Sequence, residues 1–218
     1  CVSQPLYDHI KSQYHRKGFT MVLVNGVRKD IFTPLDKREC RQRLNLPQDA
    51  ILIGVSGLIS RSRDIETLFS AFEILNKKIP DSYMVLAGPK DSNLYIPDNK
   101  NILYLGVQPQ DIIPSVIASL DLSIICNKDS SFGRFCFPLK FVETIACHTP
   151  LIASSVGVTK SMLKDYVDLL FDPGNSSQLS EAMLFQLKNK IIPDISINSW
   201  ENIAEQLNDQ IDELFQPR

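Results

Sequence analysis

The chain has 218 residues, which at about 150 residues per domain allows one large domain with extensions. Its 44% hydrophobic and 22% charged residues exclude a disordered chain, and a formal net charge of −2 argues against a nucleic-acid-binding module, which carries a basic face. No apolar run reaches the ~18–20 residues that span a bilayer, and the opening CVSQPLYDHIK has neither an initiator Met nor the apolar core of a signal peptide, so a fragment or a processed chain is expected.

After a polar lead-in (1–18), TMVLV at 20–24 reads as a first strand, being short and rich in β-branched residues. NGV and a loop to Pro34 follow, then a short helix over KRECRQRL. ILIGVS at 51–56 reads as a buried strand. The next helix carries Ile65, Leu68, Phe69, Phe72, Leu75 and Ile79 on one face and stops at Pro80. YMVLAG at 83–88 and ILYLG at 102–106 read as strands, and QDIIPSVIAS as a helix with Pro114 early enough to be tolerated. LSIIC at 122–126 is a strand, NKDSSFGRFCF a loop, and PLKFVETIAC a helix with Pro138 in its first turn. LIAS at 151–154 is a strand. A short helix near KSML, a short strand near LLF, a helix over SSQLSEAMLFQLKN and a last helix over about 197–215 complete the chain.

The strands are continuous apolar runs, so both sheet faces are covered, as in a parallel sheet wrapped by helices. This predicts a doubly wound, Rossmann-like α/β sheet of about six strands. Ligands in such sheets bind beyond the carboxyl ends of the strands. The five cysteines are odd in number, none spaced C-x-x-C, and His9, His15 and His148 show no metal-ligand spacing. A zinc site or disulfide framework is therefore not expected, and a reducing compartment is.

Two loops carry candidate chemistry. In SGLISRSRD (56–64), Gly57 permits a tight turn, and Arg61 and Arg63 sit just before a helix start, where free N–H groups favour anions. Two arginines there can bind a diphosphate; the plainer reading is a solvated basic turn capped by Asp64. In FCFPLKFVE (135–143), Pro138 lacks an N–H, leaving the amides of Leu139 and Lys140 to face a phosphate. Glu143, about one turn on, has a carboxylate suited to a ribose diol; the plainer reading is an ordinary helix-surface residue.

In order along the chain stand N-G-V-x-x-x-x-F-x-P (25–34), the Gly loop with its basic residue (57–63), L-x-G-P (86–89), I-L-Y-L-G-V (102–107), F-P-L-K-x-x-E-x-x-A (137–146) and P-L-I-A-S-x-V-G (150–157). Together they resemble the C-terminal, donor-binding domain of GT-B glycosyltransferases of family 4, glycosyl transferases group 1. The resemblance implies half of a GT-B enzyme: residues 1–20 as the tail of an N-terminal domain or a linker, 21–195 as the nucleotide-sugar-binding domain, and 196–218 as a C-terminal crossover helix. It implies transfer of a sugar from a nucleotide-diphosphate sugar, GDP-mannose ahead of a UDP-sugar, with retention at the anomeric carbon. The acceptor implied is a cell-envelope glycan such as lipopolysaccharide or another polysaccharide, glycan or lipid-linked, met through the N-terminal domain. By position, Glu143 would hold the donor ribose, Arg63 the diphosphate, the Leu139 and Lys140 amides the distal phosphate or sugar, and Val107 the base. No metal, cofactor or nucleic acid is implied. The implied location is cytoplasmic, at the inner face of the membrane for the full-length enzyme, and this chain alone is expected to be inactive. Two positions depart from the family: its first glutamate falls at Phe135, and its arginine beside the loop glycine falls at Leu58, where Arg61 offers a substitute charge. Asp129 or Arg134 offers a substitute contact to the sugar.

Other classes fit less well. A dinucleotide oxidoreductase needs G-x-G-x-x-G after a strand, which is absent. No lysine is singled out for a phosphorylase cofactor. A sugar-nucleotide 2-epimerase-like domain and a non-catalytic nucleotide-sugar-binding module remain as alternatives.

Overall fold

The structure, a computed structural model, describes residues 1–14 and 18–215. His15 and residues 216–218, at the end of the expected crossover segment, lie outside the described residues. Six strands form one sheet: β1 (Ile51–Ser56), β2 (Ser82–Ala87), β3 (Ile102–Tyr104), β4 (Leu122–Ile125), β5 (Leu151–Ser154) and β6 (Leu170–Phe171). Their order is β3-β2-β1-β4-β5-β6 and every pairing is parallel. The helices are α1 (Gln4–Tyr14), α2 (Lys37–Arg43), α3 (Ile65–Lys78), α4 (Ile113–Ser119), α5 (Ser131–Phe135), α6 (Leu139–Ala146), α7 (Gly157–Met162), α8 (Ser176–Asn189) and α9 (Trp200–Phe215).

Alternate strand residues face opposite cores. Ile53, Met84, Leu86, Leu122, Ile124 and Ile152 pack with Leu68, Phe72 and Leu75 of α3 and Leu179 and Met183 of α8. On the other face, Ile125, Leu151 and Ala153 meet Ile117 of α4 and Phe141, Val142 and Ile145 of α6, and Leu52 and Val85 meet Leu46 and Leu120. The sheet is thus wound in both directions from β1, and the direction switches between β1 and β4.

A buried ionic staple holds α2 to the sheet. Arg41, 4% exposed, donates to the carbonyls of Ser119, Gln48 and Ala50 and to the Asp121 carboxylate at 2.7 Å. Asp121 also accepts from Lys37 Nζ at 2.7 Å and from the Leu52 amide at 2.9 Å.

Three expectations are corrected. TMVLV is not a strand of the sheet: its backbone pairs instead with Cys1, whose ammonium donates to the Met21 carbonyl and whose carbonyl accepts from Leu23 N–H. The polar lead-in holds α1, whose residues are nowhere buried, so it shows no apolar stripe. The loop before Pro138 holds α5, capped by the Ser130 side chain on the Gly133 amide. Among the described residues, no helix is long and apolar enough to cross a membrane.

Candidate functional site

A cleft of about 240 Å³ opens at the carboxyl ends of β1 and β4, where the winding direction switches. One wall is the turn after β1 with Ser56, Gly57, Leu58 and Arg63; another is the end of β4 with Ile125, Cys126 and Asn127; the third is the α5–α6 junction with Phe132 and residues 136–140. In open parallel sheets the strand connections diverge at this point, leaving a crevice.

Arg63 belongs to a short 3-10 turn (Arg61–Arg63) leading into α3. Its guanidinium donates from NH1 to Asn127 Oδ1 at 2.7 Å and lies 4.4 Å from the Phe132 ring centre. Arg61, by contrast, does not line the cleft; it pairs with Glu66 of α3 at 3.1 Å, with its side chain largely exposed. The two arginines therefore do not act as a pair. Asp64 caps differently from the sequence expectation. It sits in the left-handed region at φ 56°, its side chain accepts no helix N–H of α3, and its carboxylate takes bonds from the Thr67 hydroxyl and the Gly174 amide, both at 2.9 Å. The turn bearing Arg63 is thereby tied to the chain just ahead of α8.

Pro138 occupies the position before α6 rather than its first turn, with ψ 86°. The Leu139 amide is consequently turned back onto the Phe137 carbonyl at 3.1 Å and is not free for a ligand. The Lys140 amide has no protein acceptor among the described residues. Gly57 faces Lys140: a Cβ added to it would stand 3.7 Å from the lysine chain, an ordinary contact.

Lys140 lines the cleft, but its ammonium donates to Glu143 Oε2 at 2.6 Å. Glu143 is 8% exposed and is not among the residues lining the cleft. Burial pushes its carboxyl above the ordinary range, while the charge and hydrogen bond of Lys140 pull the other way. Val107, 71% exposed in the loop after β3, also stands outside the cleft lining. Of the eight candidates, Gly57, Arg63, Pro138, Leu139 and Lys140 meet in one cleft; Arg61, Val107 and Glu143 do not line it.

Asn127 and Phe132 were missed by the sequence reading. Neither carries a charge or a motif spacing, and their place depends on α5, whose sequence reads as loop. The substitute sugar contacts are occupied as well: Arg134 Nε donates to Asp129 at 2.5 Å, both side chains being more than half exposed. Phe135 is turned to α1, where its ring stacks on His9 at 4.7 Å and its carbonyl accepts from Ser3 Oγ at 2.7 Å. Among the described residues no cluster of three or more His, Cys, Asp or Glu could hold a metal.

The cleft can accept an anion. Its polar lining offers a guanidinium, an ammonium and a free amide, with no carboxylate among the lining residues. Comparison with known proteins agrees with this architecture. D-inositol 3-phosphate glycosyltransferase of Mycolicibacterium gilvum is 29% identical over 154 residues, 65% of this chain and 33% of that protein. TuaC of Bacillus subtilis, provisionally named a teichuronic acid biosynthesis glycosyltransferase, is 26% identical over 173 residues, 79% of this chain and 42% of that protein. This chain thus spans about a third to two fifths of the length of these relatives. Anabaena HepE, solved in complex with UDP, has the same fold with a TM-score of 0.78 at 17% identity, covering 98% of this chain and 63% of that one. The sheet order and its flanking helices are those of a Rossmann-like GT-B glycosyltransferase domain. The model of glycosyl transferases group 1 matches residues 36–207, from α2 into α9, and the chain belongs to that family.

Proposed function

We propose that this chain is the nucleotide-sugar-binding half of a retaining glycosyltransferase, moving a sugar from a nucleotide-diphosphate sugar such as GDP-mannose or a UDP-sugar to a cell-envelope glycan. The observation that carries the reading is the cleft at the β1/β4 switch, with Arg63 and Lys140 on its wall and no lining carboxylate. In such a transfer the diphosphate departs as an anion, so fixed positive charge and N–H dipoles aimed at it lower the barrier. Arg63 supplies a bidentate-capable guanidinium, and the Lys140 amide supplies a dipole at a helix start. Nucleotide entry would draw the Lys140 ammonium from Glu143 to phosphate and leave the Glu143 carboxylate to accept from the ribose diol.

HepE carries UDP in its structure, and the relatives named above carry glycosyltransferase names, which supports the donor class. Trp200, Leu207, Ile211 and Leu214 lie exposed along α9, as suits a crossover helix that packs on a partner domain. In this reading residues 1–20 are the approach from that domain and 21–195 the nucleotide-sugar domain. The acceptor, glycan or lipid-linked, is bound by the partner domain at the cytoplasmic face of the membrane, and this chain alone transfers nothing. One observation favours a second reading, a binding module without transfer: Phe135 faces α1 and offers the sugar no polar group.

A thermal-shift and calorimetric screen with UDP, GDP and UMP tests the proposal. A nucleotide diphosphate at 100 times its dissociation constant should stabilise the chain by about 2.7 kcal/mol. Arg63→Ala should weaken that ligand by roughly ten- to a hundredfold, and Arg61→Ala should leave it unchanged. If neither UDP nor GDP shifts unfolding, the donor-binding reading is wrong. Sugar transfer by the full-length protein then separates catalyst from binding module.

A further inference from the structure

We infer that Asn127 is a positioning residue that holds the Arg63 guanidinium in the cleft and, through it, orients the diphosphate; the inference rests on the nucleotide-sugar reading above. A guanidinium on a flexible side chain binds phosphate well only when its planar fork is held toward the ligand. Here one edge is held by the 2.7 Å bond from NH1 to Asn127 Oδ1, and the Phe132 ring lies 4.4 Å from the guanidinium carbon. The Nε and NH2 donors have no protein acceptor among the described residues. They are therefore available to phosphate oxygens.

Asn127 is suited to hold rather than to bind. It is 3% exposed and stands two residues past the end of β4, and its backbone N–H donates to Ser154 Oγ at 3.0 Å, on the fully buried end of β5. The backbone that carries its Oδ1 is thus fixed to the sheet, and the side chain that reaches Arg63 is short and buried. Asn127 is also neutral. A carboxylate at this position would hold Arg63 as firmly but would cancel the charge meant for the ligand. Arg61 shows the contrast: its Glu66 partner is a carboxylate on an exposed helix face, and it stays out of the cleft.

The test is a double-mutant cycle on the 218-residue chain, read by calorimetry with UDP, GDP and UMP. Asn127→Ala should weaken the better-bound nucleotide diphosphate about five- to tenfold and UMP distinctly less. In the Arg63→Ala background the same substitution should change affinity less than about twofold, because the group it acts through is gone. Asn127→Asp, which keeps shape and the bond to Arg63, should weaken the diphosphate at least as much as alanine does. That result would not arise from a merely structural role, which the isostere would rescue. Should Asn127→Ala fail to fold, the cycle is run with Asn127→Ser, which shortens the side chain without adding a charge. Equal losses in both backgrounds, or equal losses for UDP and UMP, overturn the inference while leaving the nucleotide reading intact. Absence of UDP and GDP binding to the unmodified chain overturns both.

Discussion

Replacing Lys140 by methionine keeps the length and apolar body of the side chain and removes only the ammonium that Glu143 uses. Glu143 is 8% exposed and its only side-chain hydrogen bond among the described residues is the 2.6 Å bond from Lys140. Removing one partner of a fully buried pair costs about 3–5 kcal/mol, because a charge is left alone in a poor dielectric. The Lys140 side chain is 35% exposed, so water screens the pair and the expected loss is reduced to about 1–2 kcal/mol. Glu143→Gln should behave differently. It abolishes the desolvation penalty along with the pairing, and the net change should stay within about 0.5 kcal/mol. Combining the two substitutions should recover most of the Lys140→Met loss. The sign of the pH dependence follows from the carboxyl. Burial holds the Glu143 pKa above its ordinary value, and the charge and hydrogen bond of Lys140 are what restrain it. Without Lys140 it rises further, and a raised folded pKa gives stability that is full below the unfolded pKa and lost as pH rises through the folded one. The deficit of Lys140→Met should therefore shrink as pH falls through the carboxylate range. Urea unfolding followed by circular dichroism from pH 7 downward measures it. A deficit independent of pH, or Glu143→Gln as damaging as Lys140→Met, would refute the pairing argument.

Asp121→Asn should destabilise by about 3 kcal/mol in urea, since it strips the charge partner from Arg41, which is 4% exposed. Burial alone would raise Asp121, but the Lys37 and Leu52 hydrogen bonds and the charges of Lys37 and Arg41 outweigh it and hold its carboxyl below the ordinary value. A lowered folded pKa gives stability present above the unfolded pKa and lost as pH falls through the folded one, so the variant should show a flatter acid limb than the parent. Gly88→Ala should cost about 2 kcal/mol or more: Gly88 has φ 142°, and a Cβ there would press on the Gly57 carbonyl, a backbone atom beside the cleft. Its nucleotide affinity should fall with its stability, and a variant that unfolds like the parent would show that the β1 turn can shift freely.

The sheet was legible because its information is local. Each of β1, β2, β4 and β5 is a short apolar run, and burial on both faces leaves no alternation to confuse with a half-exposed strand. The same signal misled at TMVLV. An apolar run of that length satisfies any buried extended segment, and composition does not say whether its backbone joins the ladder or, as here, pairs with the first residue of the chain. Helix α5 has five residues around Gly133, too few to show a period, so Asn127 and Phe132 on either side of its start could not be placed against Arg63. Glu143 reads by its type as a free carboxylate. Its partner, three positions back on the same helix, draws notice in the sequence for its amide alone.

Asp64 shows most plainly what local reading leaves out. Its residue type and position before α3 point to a helix cap, yet with the backbone at φ 56°, ψ 31° the carboxylate takes no helix N–H; one oxygen accepts from the Thr67 hydroxyl and the other reaches Gly174, 110 positions along the chain. Aspartate tolerates the left-handed region better than most residues, but glycine tolerates it without cost. If conformation were the whole role, Asp64→Gly would stabilise by roughly 1 kcal/mol. The structure predicts the opposite. Asp64 is 4% exposed, and its removal leaves the buried Thr67 hydroxyl and the Gly174 amide without their 2.9 Å acceptor. Two bonds to a charged acceptor contribute about 1.5–3 kcal/mol each; set against about 1 kcal/mol of relieved strain, Asp64→Gly should lose roughly 2–5 kcal/mol. Asp64→Ala should lose about 1 kcal/mol more, because it forfeits both bonds and keeps the strained backbone. Urea unfolding orders the three proteins, and hydrogen exchange at the Gly174 amide reads the lost bond directly. Because the residue before Asp64 is Arg63, loosening this tie should also weaken nucleotide diphosphate binding beyond what the lost stability alone accounts for. A glycine variant as stable as the parent, with Gly174 still protected, would mean that the turn is held by its backbone and that the carboxylate bonds contribute nothing to the seat of Arg63.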